Sequence, residues 1–267
     1  ERFLERLSAS KYRNCFILKG GMLISAMVGI DSRATMDIDT TLRNYPLNCE
    51  SAEQIVRQIA DVEIDDKISF VIKKTEEIME DSEYQGVRLS LDAYLDKTRI
   101  PLKIDISTGD VITPCEISFS YQLMFENRTI PLLAYPPETV LAEKLETILS
   151  RGEANTRLRD FYDVYILQRE DFVVTPDALR YALLATCRKR GHEDLLHTYA
   201  SILDGVRQSD AMRTQWMKYQ TDFDYAAGIT WDTVLDTVET LCMKTLDDHA
   251  FGDELPQEES QFEMHLL

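Results

Sequence analysis

The sequence predicts an α+β protein in which a mixed sheet flanked by helices gives way to a mostly helical second half. Three observations carry that expectation. Residues 68–73, 84–93 and 99–107 alternate apolar and polar side chains with the period of a strand. The apolar run 15–18, followed by Gly20-Gly21 and the helix-like stretch 22–28, interleaves helices with strands from the outset. At Tyr135-Pro136-Pro137 the texture changes, and beyond it apolar residues recur at helical spacing. The expected division is an α/β domain over 1–135, a helical domain completing a cleft over 136–245, and an acidic tail over 246–267.

Residues 1–9 form the end of an amphipathic helix, with Phe3, Leu4 and Leu7 on one face; upstream residues are expected to be missing. Strand 15–18 and helix 22–28 follow, then a strand over 36–42. Helix 51–60 takes Ser51 as its cap. Strands 68–73 and 84–93 flank Glu76, Glu77, Glu80, Asp81 and Glu83, whose density of charge predicts a solvated loop. Strand 99–107 is followed by a hairpin of 115–120 and 128–133. Helix 138–149 opens on proline and buries Val140, Leu141, Leu145 and Ile148; helix 157–167 follows a polar loop. Helical patterns at 179–186, 195–203 and 230–245 carry no site signature. His192 and His197 are expected at the surface, and Asp222 and Asp224 in turns or caps. The tail has seven acids and neither Lys nor Arg, the composition of a mobile segment or of a contact strip for a basic partner.

Composition narrows the function classes. With 44% hydrophobic and 28% charged residues among 267, the chain has the makeup of a soluble globular protein. No apolar run approaches the roughly 18–20 residues that span a bilayer. Five scattered cysteines without a C-x-x-C pair point to reduced thiols and a cytoplasmic setting rather than zinc or disulfides. All four histidines lie in the last third, so carboxylates and lysines must carry any chemistry of the first half. The net charge of −18 opposes non-specific nucleic-acid binding and favours a basic partner.

Against that background three features stand out. In strand 36–42, Asp37 and Asp39 share a face while Met36 and Ile38 turn toward the core. Two adjacent carboxylates are costly unless a cation sits between them, and oxygen donors of this kind suit magnesium. In Lys103-Ile104-Asp105-Ile106 the isoleucines mark a buried strand, which makes Asp105 a candidate third ligand and puts Lys103 on the same face. The Gly20-Gly21 turn lets backbone amides and a helix N-terminus approach phosphate. In the helical half, Lys144 faces Arg157, Asp160 and Asp163 across a helix–loop–helix.

Taken in order, these motifs resemble the plan of the DNA polymerase β-like nucleotidyltransferase fold. More narrowly, Phe16-Ile-Leu-Lys-Gly-Gly-Met-Leu23, Arg33-x-Thr-x-Asp-Ile-Asp39, Lys103-Ile-Asp-Ile106, Thr139-x-x-x-Glu143-Lys144 and Arg157-x-Arg-Asp-Phe-Tyr-Asp163 are similar to the successive motifs of the AbiEii/AbiGii family. These are nucleotidyltransferase-like toxins of bacterial abortive-infection toxin–antitoxin systems. The resemblance spans roughly residues 1–168. It departs from the commonest pattern at Arg159, where lysine is usual, and at Gly21, where many nucleotidyltransferases place serine.

The resemblance implies a Mg2+-dependent enzyme that moves a nucleoside monophosphate from an NTP to an acceptor hydroxyl, with tRNA 3′ ends as acceptor and a cognate antitoxin as partner. It implies Asp37, Asp39 and Asp105 as metal ligands, Asp105 serving alternatively as base. Gly20, Gly21 and Lys144 would hold phosphates, and Asp160, oriented by Arg157 or Arg159, would position nucleotide or acceptor. An RNA-binding surface is expected near Lys103, Lys144, Arg157 and Arg159. Two other outcomes are compatible with the residues: phosphoryl or nucleotidyl transfer to a protein hydroxyl, and a non-catalytic partner-binding protein of the same fold.

Overall fold

The computed structural model describes residues 1–79, 85–124, 126–169 and 174–246. Glu80, Asp81 and Glu83, and the expected tail beyond Leu246, lie outside the described residues.

Helix α1 (Arg2–Ala9) buries Phe3, Leu4 and Leu7 and leads into β1 (Phe16–Lys19), whose four residues are all buried. Helix α2 (Gly20–Val28) starts directly at the glycines. Strand β2 (Asp37–Leu42) begins one residue later than expected. Met36 therefore lies outside the alternation and is 69% exposed, whereas Ile38 is buried.

Helix α3 (Cys49–Ala60) starts ahead of Ser51. Asn48 is the cap, its side chain accepting from the Ser51 amide at 2.8 Å, and Ser51 accepts in turn from the Asn48 amide at 3.1 Å. Ser51 is thus the reciprocal partner of a capping box rather than the cap itself.

Strand β3 (Ile68–Met79) runs through Glu76 and Glu77, which were expected in a loop. It is an edge strand, where charged side chains face water without breaking the ladder; Lys74 donates to Glu76 at 2.7 Å. Strands β4 (Gln85–Leu95), β5 (Thr98–Ser107), β6 (Ile117–Gln122) and β7 (Thr129–Ala134) complete a sheet of order β3-β4-β5-β2-β1-β7-β6. It is mixed: β2 runs parallel to β5 and β1 parallel to β7, while the other neighbours are antiparallel.

The helical half follows, with α4 (Pro137–Arg151), α5 (Leu158–Leu167), α6 (Pro176–Arg190), α7 (Leu195–Gln208), α8 (Asp210–Asp222) and α9 (Trp231–Leu246). Helix α4 opens on Pro137, whose missing N–H costs nothing at that position, and buries Val140, Leu141, Leu145 and Ile148. Buried side chains of the strand half and the helical half belong to one continuous cluster, from Phe3 to Leu246. Among the described residues no helix is long and apolar enough to cross a membrane.

Candidate active site

The sheet register brings four charges into one row. Lys19 of β1 lies opposite Asp39 of β2, Asp39 opposite Asp105 of β5, and Asp105 opposite Arg88 of β4. Opposed residues share a face, so a cation, two anions and a second cation stand side by side across four strands. The parallel β2–β5 pair also sets Asp37 against Lys103. Arg88 neutralises Asp105 through two bonds, Nε at 2.7 Å and a terminal nitrogen at 2.6 Å. Lys19 reaches past Asp39 to Asp110 and Ser107, at 2.8 Å each.

Asp39 is held at the turn. Gly20 has φ +63, in the left-handed region that glycine enters without steric cost, and the Gly21 amide donates to Asp39 Oδ2 at 3.3 Å. Burial pushes the Asp39 carboxyl up from the ordinary range and the neighbouring Asp105 charge pushes it further, while Lys19 and the Gly21 amide only partly oppose them. Asp37, at the outer end of the same face, is exposed.

Across the cleft stands a buried ion cluster. Lys144 Nζ donates to Asp160 Oδ1 at 2.5 Å and lies 2.9 Å from Asp163 Oδ2. Arg33 Nε meets Asp163 Oδ1 at 2.7 Å, and Arg157 Nε lies 2.8 Å from Asp160 Oδ2. Burial works against the charge of Lys144, but Asp160 and Asp163 outweigh it and hold the ammonium above its usual value. Burial would likewise raise Asp163, yet Lys144 and Arg33 hold it below the usual carboxylate range. The helical spacing of Asp160 and Asp163 on α5 aims both at Lys144 of α4.

The two sides enclose a cleft of about 1090 Å³. Gly20, Gly21, Asp37, Asp39, Asp105, Lys144, Arg157, Arg159 and Asp160 all line it. Lys103 does not; it is exposed, midway along β5. Arg159 is turned toward Phe223 rather than toward Asp160.

Several lining residues were not singled out in the sequence. Lys19 stood only inside the motif 16–23 and Arg88 in none; strand register makes both of them site residues. Arg190 and the α8 edge, with Gln215, Lys218, Tyr219, Asp222 and Phe223, come from helices without a recognisable motif. Asp222 ends α8, yet with Phe223 it also faces the cleft. Arg33 was quoted only as the start of a motif; it is 1% exposed and is a structural tie between the two halves.

The donor set bears on a metal. Asp37 and Asp39 offer only oxygen, and Asp39 carries an uncompensated electrostatic load that a cation relieves, so the residues fit a hard divalent ion. Among the described residues no group of three or more acids, histidines or cysteines is gathered closely enough to hold an ion unaided. Magnesium is commonly bound by one or two carboxylates with substrate phosphates supplying the remainder, and that composition matches this cleft.

A Gly-Gly turn at a helix N-terminus, paired strand carboxylates and an opposing lysine define a nucleotide-handling enzyme. Residues 2–237 match the family described as nucleotidyl transferase AbiEii toxin of type IV toxin–antitoxin systems. The chain belongs to that family: it is a nucleotidyltransferase, with an NTP as substrate and an antitoxin as its counterpart. Among solved structures it is similar to a candidate nucleotidyltransferase from H. pylori, at 16% identity and TM-score 0.48 over 93% of this chain and 94% of that one. It is similar also to JHP933 from Helicobacter pylori, at 16% identity and TM-score 0.47 over 91% of this chain and 88% of that one. No curated protein matches.

Proposed function

We propose that the protein transfers a nucleoside monophosphate from an NTP to an acceptor hydroxyl at a tRNA 3′ end, with Mg2+ held by Asp37 and Asp39. The observation that carries this reading is the cleft itself: the Gly20-Gly21 turn and the Asp37–Asp39 pair on one wall face the Lys144–Asp160 pair on the other. Residues 1–135 supply the carboxylate pair and the glycine turn, and 136–245 complete the cleft.

Bound Mg2+ would neutralise triphosphate charge and polarise the phosphoryl oxygens. The chain's own residues do the rest. Amides at the start of α2 receive phosphate oxygens, with the helix dipole favouring negative charge there. Lys144 has three N–H donors; Asp160 and Asp163 take two, leaving one for a phosphate oxygen. Because the ammonium is clamped, it is aligned before substrate arrives, and no reorganisation is needed at the moment of reaction. Asp160, held by Lys144 and Arg157, positions the nucleotide or the acceptor.

In this reading Asp105 accepts the acceptor's proton or serves as a further metal ligand. Its partner Arg88 is 38% exposed, and that role requires Arg88 to swing away. In the transfer, the acceptor oxygen bonds to the α-phosphorus, the bond from that phosphorus to the bridging oxygen breaks, and pyrophosphate leaves. The hydroxyl proton passes to the Asp105 carboxylate.

The test is incubation of the purified protein with α- or γ-labelled NTPs, Mg2+ and total tRNA. Label from the α position is expected in RNA, and Asp39→Ala should abolish it. Label arriving from the γ position, or on protein, would replace this reading with phosphoryl transfer or protein modification. An Asp39→Ala variant as toxic on expression as the parent would argue for a non-catalytic role.

A further inference from the structure

Most of the cations that line the cleft are already neutralised. Lys19 pairs with Asp110, Arg33 with Asp163, Arg88 with Asp105, Lys144 and Arg157 with Asp160, and Arg190 with Glu146. Arg159 and Lys218 differ. Among the described residues neither pairs with a carboxylate, although both line the cleft, Arg159 from α5 and Lys218 from α8.

Arg159 has an aromatic partner instead. Its guanidinium lies 5.0 Å from the centroid of the Phe223 ring. Phe223 is in turn braced by Tyr225, stacked at 5.4 Å and 27°, and by Tyr219 at 4.7 Å. Asp222, next in the chain, lines the cleft as well. A guanidinium laid on a braced ring is a flat, weakly hydrated plate, and nucleobases stack on both components, aromatic rings and guanidinium planes. A carboxylate beside the plate can only accept, which suits the amino edge of a base.

We propose that Arg159 and Phe223, edged by Asp222 and Lys218, form a nucleobase subsite. The proposal rests on the nucleotidyl-transfer reading above and extends it to the part of the cleft lined by α5 and α8. The base belongs either to the NTP or to the terminal nucleotide of the acceptor. Both present the same stacking face, and the experiment separates them.

Binding is measured by calorimetry in Mg2+ for each NTP, for inorganic tripolyphosphate, and for total tRNA without NTP. Tripolyphosphate reads the phosphate contacts alone, so the ratio of NTP to tripolyphosphate affinity isolates the base. Stacking of one base on such a surface is worth roughly 5- to 160-fold in affinity. The parent protein is therefore expected to prefer its NTP by about that factor. Phe223→Leu, which keeps bulk without a π face, and Arg159→Lys, which keeps charge without the plane, should collapse the ratio while leaving tripolyphosphate affinity unchanged. A merely structural role would lower both affinities together or neither.

If the ratio holds but tRNA affinity falls selectively in Phe223→Leu and Arg159→Lys, the subsite takes the acceptor's base. Unchanged ratios and unchanged tRNA affinity in both variants overturn the subsite and leave the metal–phosphate reading standing. A parent protein that binds neither NTP nor tripolyphosphate would overturn that earlier reading instead.

Discussion

Arg33 and Asp163, 130 residues apart in sequence, meet at 2.7 Å with side chains 2% and 0% exposed. The pair ties the segment before β2 to α5, and Lys144 shares the same carboxylate. Breaking a buried pair by removing one member costs about 3–5 kcal/mol, because the remaining charge stays buried. Lys144 would still partner Asp163, so Arg33→Met is expected near the lower figure, about 3 kcal/mol. Urea unfolding reads this directly. A midpoint unmoved by Arg33→Met would show that the pair is energetically idle.

A second prediction concerns Gly20. A β-carbon there would sit 2.2 Å from Asp39 Oδ2, and the residue's φ of +63 already disfavours other side chains. Gly20→Ala must therefore displace the Asp39 carboxylate or the turn that receives phosphate. Misplacing a catalytic group by about 1 Å costs on the order of 100-fold in rate, and left-handed strain adds about 1–2 kcal/mol against folding. Loss of nucleotidyl transfer with a well-formed far-ultraviolet spectrum is the expected result. Full activity in Gly20→Ala would mean that Asp39 does not need its present position.

How far the sequence reveals this arrangement depends on the range of the forces involved. The Asp37–Asp39 alternation, the glycine turn and the i, i+3 spacing of Asp160 and Asp163 are local, and each was readable from neighbours alone. Lys19 and Arg88 enter the site through register set by sheet pairing, which no window of the chain contains. The β3 extension through Glu76 and Glu77 was hidden because an edge strand tolerates charges that mimic a loop. Met36 misled for the opposite reason: an apolar residue beside a strand looks like part of it, yet the ladder starts one residue later. Phe223 and Arg159 meet only because α8 packs against α5, so their juxtaposition has no signature in sequence.

Asp39 yields a prediction that separates stability from activity. Burial and the Asp105 charge raise its pKa, so the ionised form is carried at a cost to the folded state at neutral pH. Asp39→Asn removes that cost while keeping the shape. In EDTA the variant is expected to melt above the parent, yet to be inactive. Adding Mg2+ with NTP should reverse the order, since a ligand at 100 times its Kd stabilises only the protein that binds it, by about 2.7 kcal/mol. A variant less stable than the parent in EDTA would show that the Asp39 charge is already satisfied within the protein.

Asp110 supplies a pH dependence distinct from the metal-binding carboxylates. Its Oδ2 accepts from Lys19, Ser107 and Tyr135, with Thr41 in contact as well. Burial alone would raise its carboxyl, but the Lys19 ammonium and the hydroxyl donors overcome that and bring it down to about 2 from an ordinary 3.8. A depressed carboxylate stabilises the fold at all pH values above its unfolded pKa, and that stability drains away as pH falls through the folded value. The window is therefore about pH 4 down to about pH 2, and the stake is about 2 kcal/mol. Asp110→Asn forfeits this contribution at neutral pH and should show a correspondingly flatter loss of stability across the window. Denaturant unfolding of both proteins at several acidic pH values measures the difference. Parallel curves for parent and variant would mean that Lys19 and Asp110 are not an ion pair in solution.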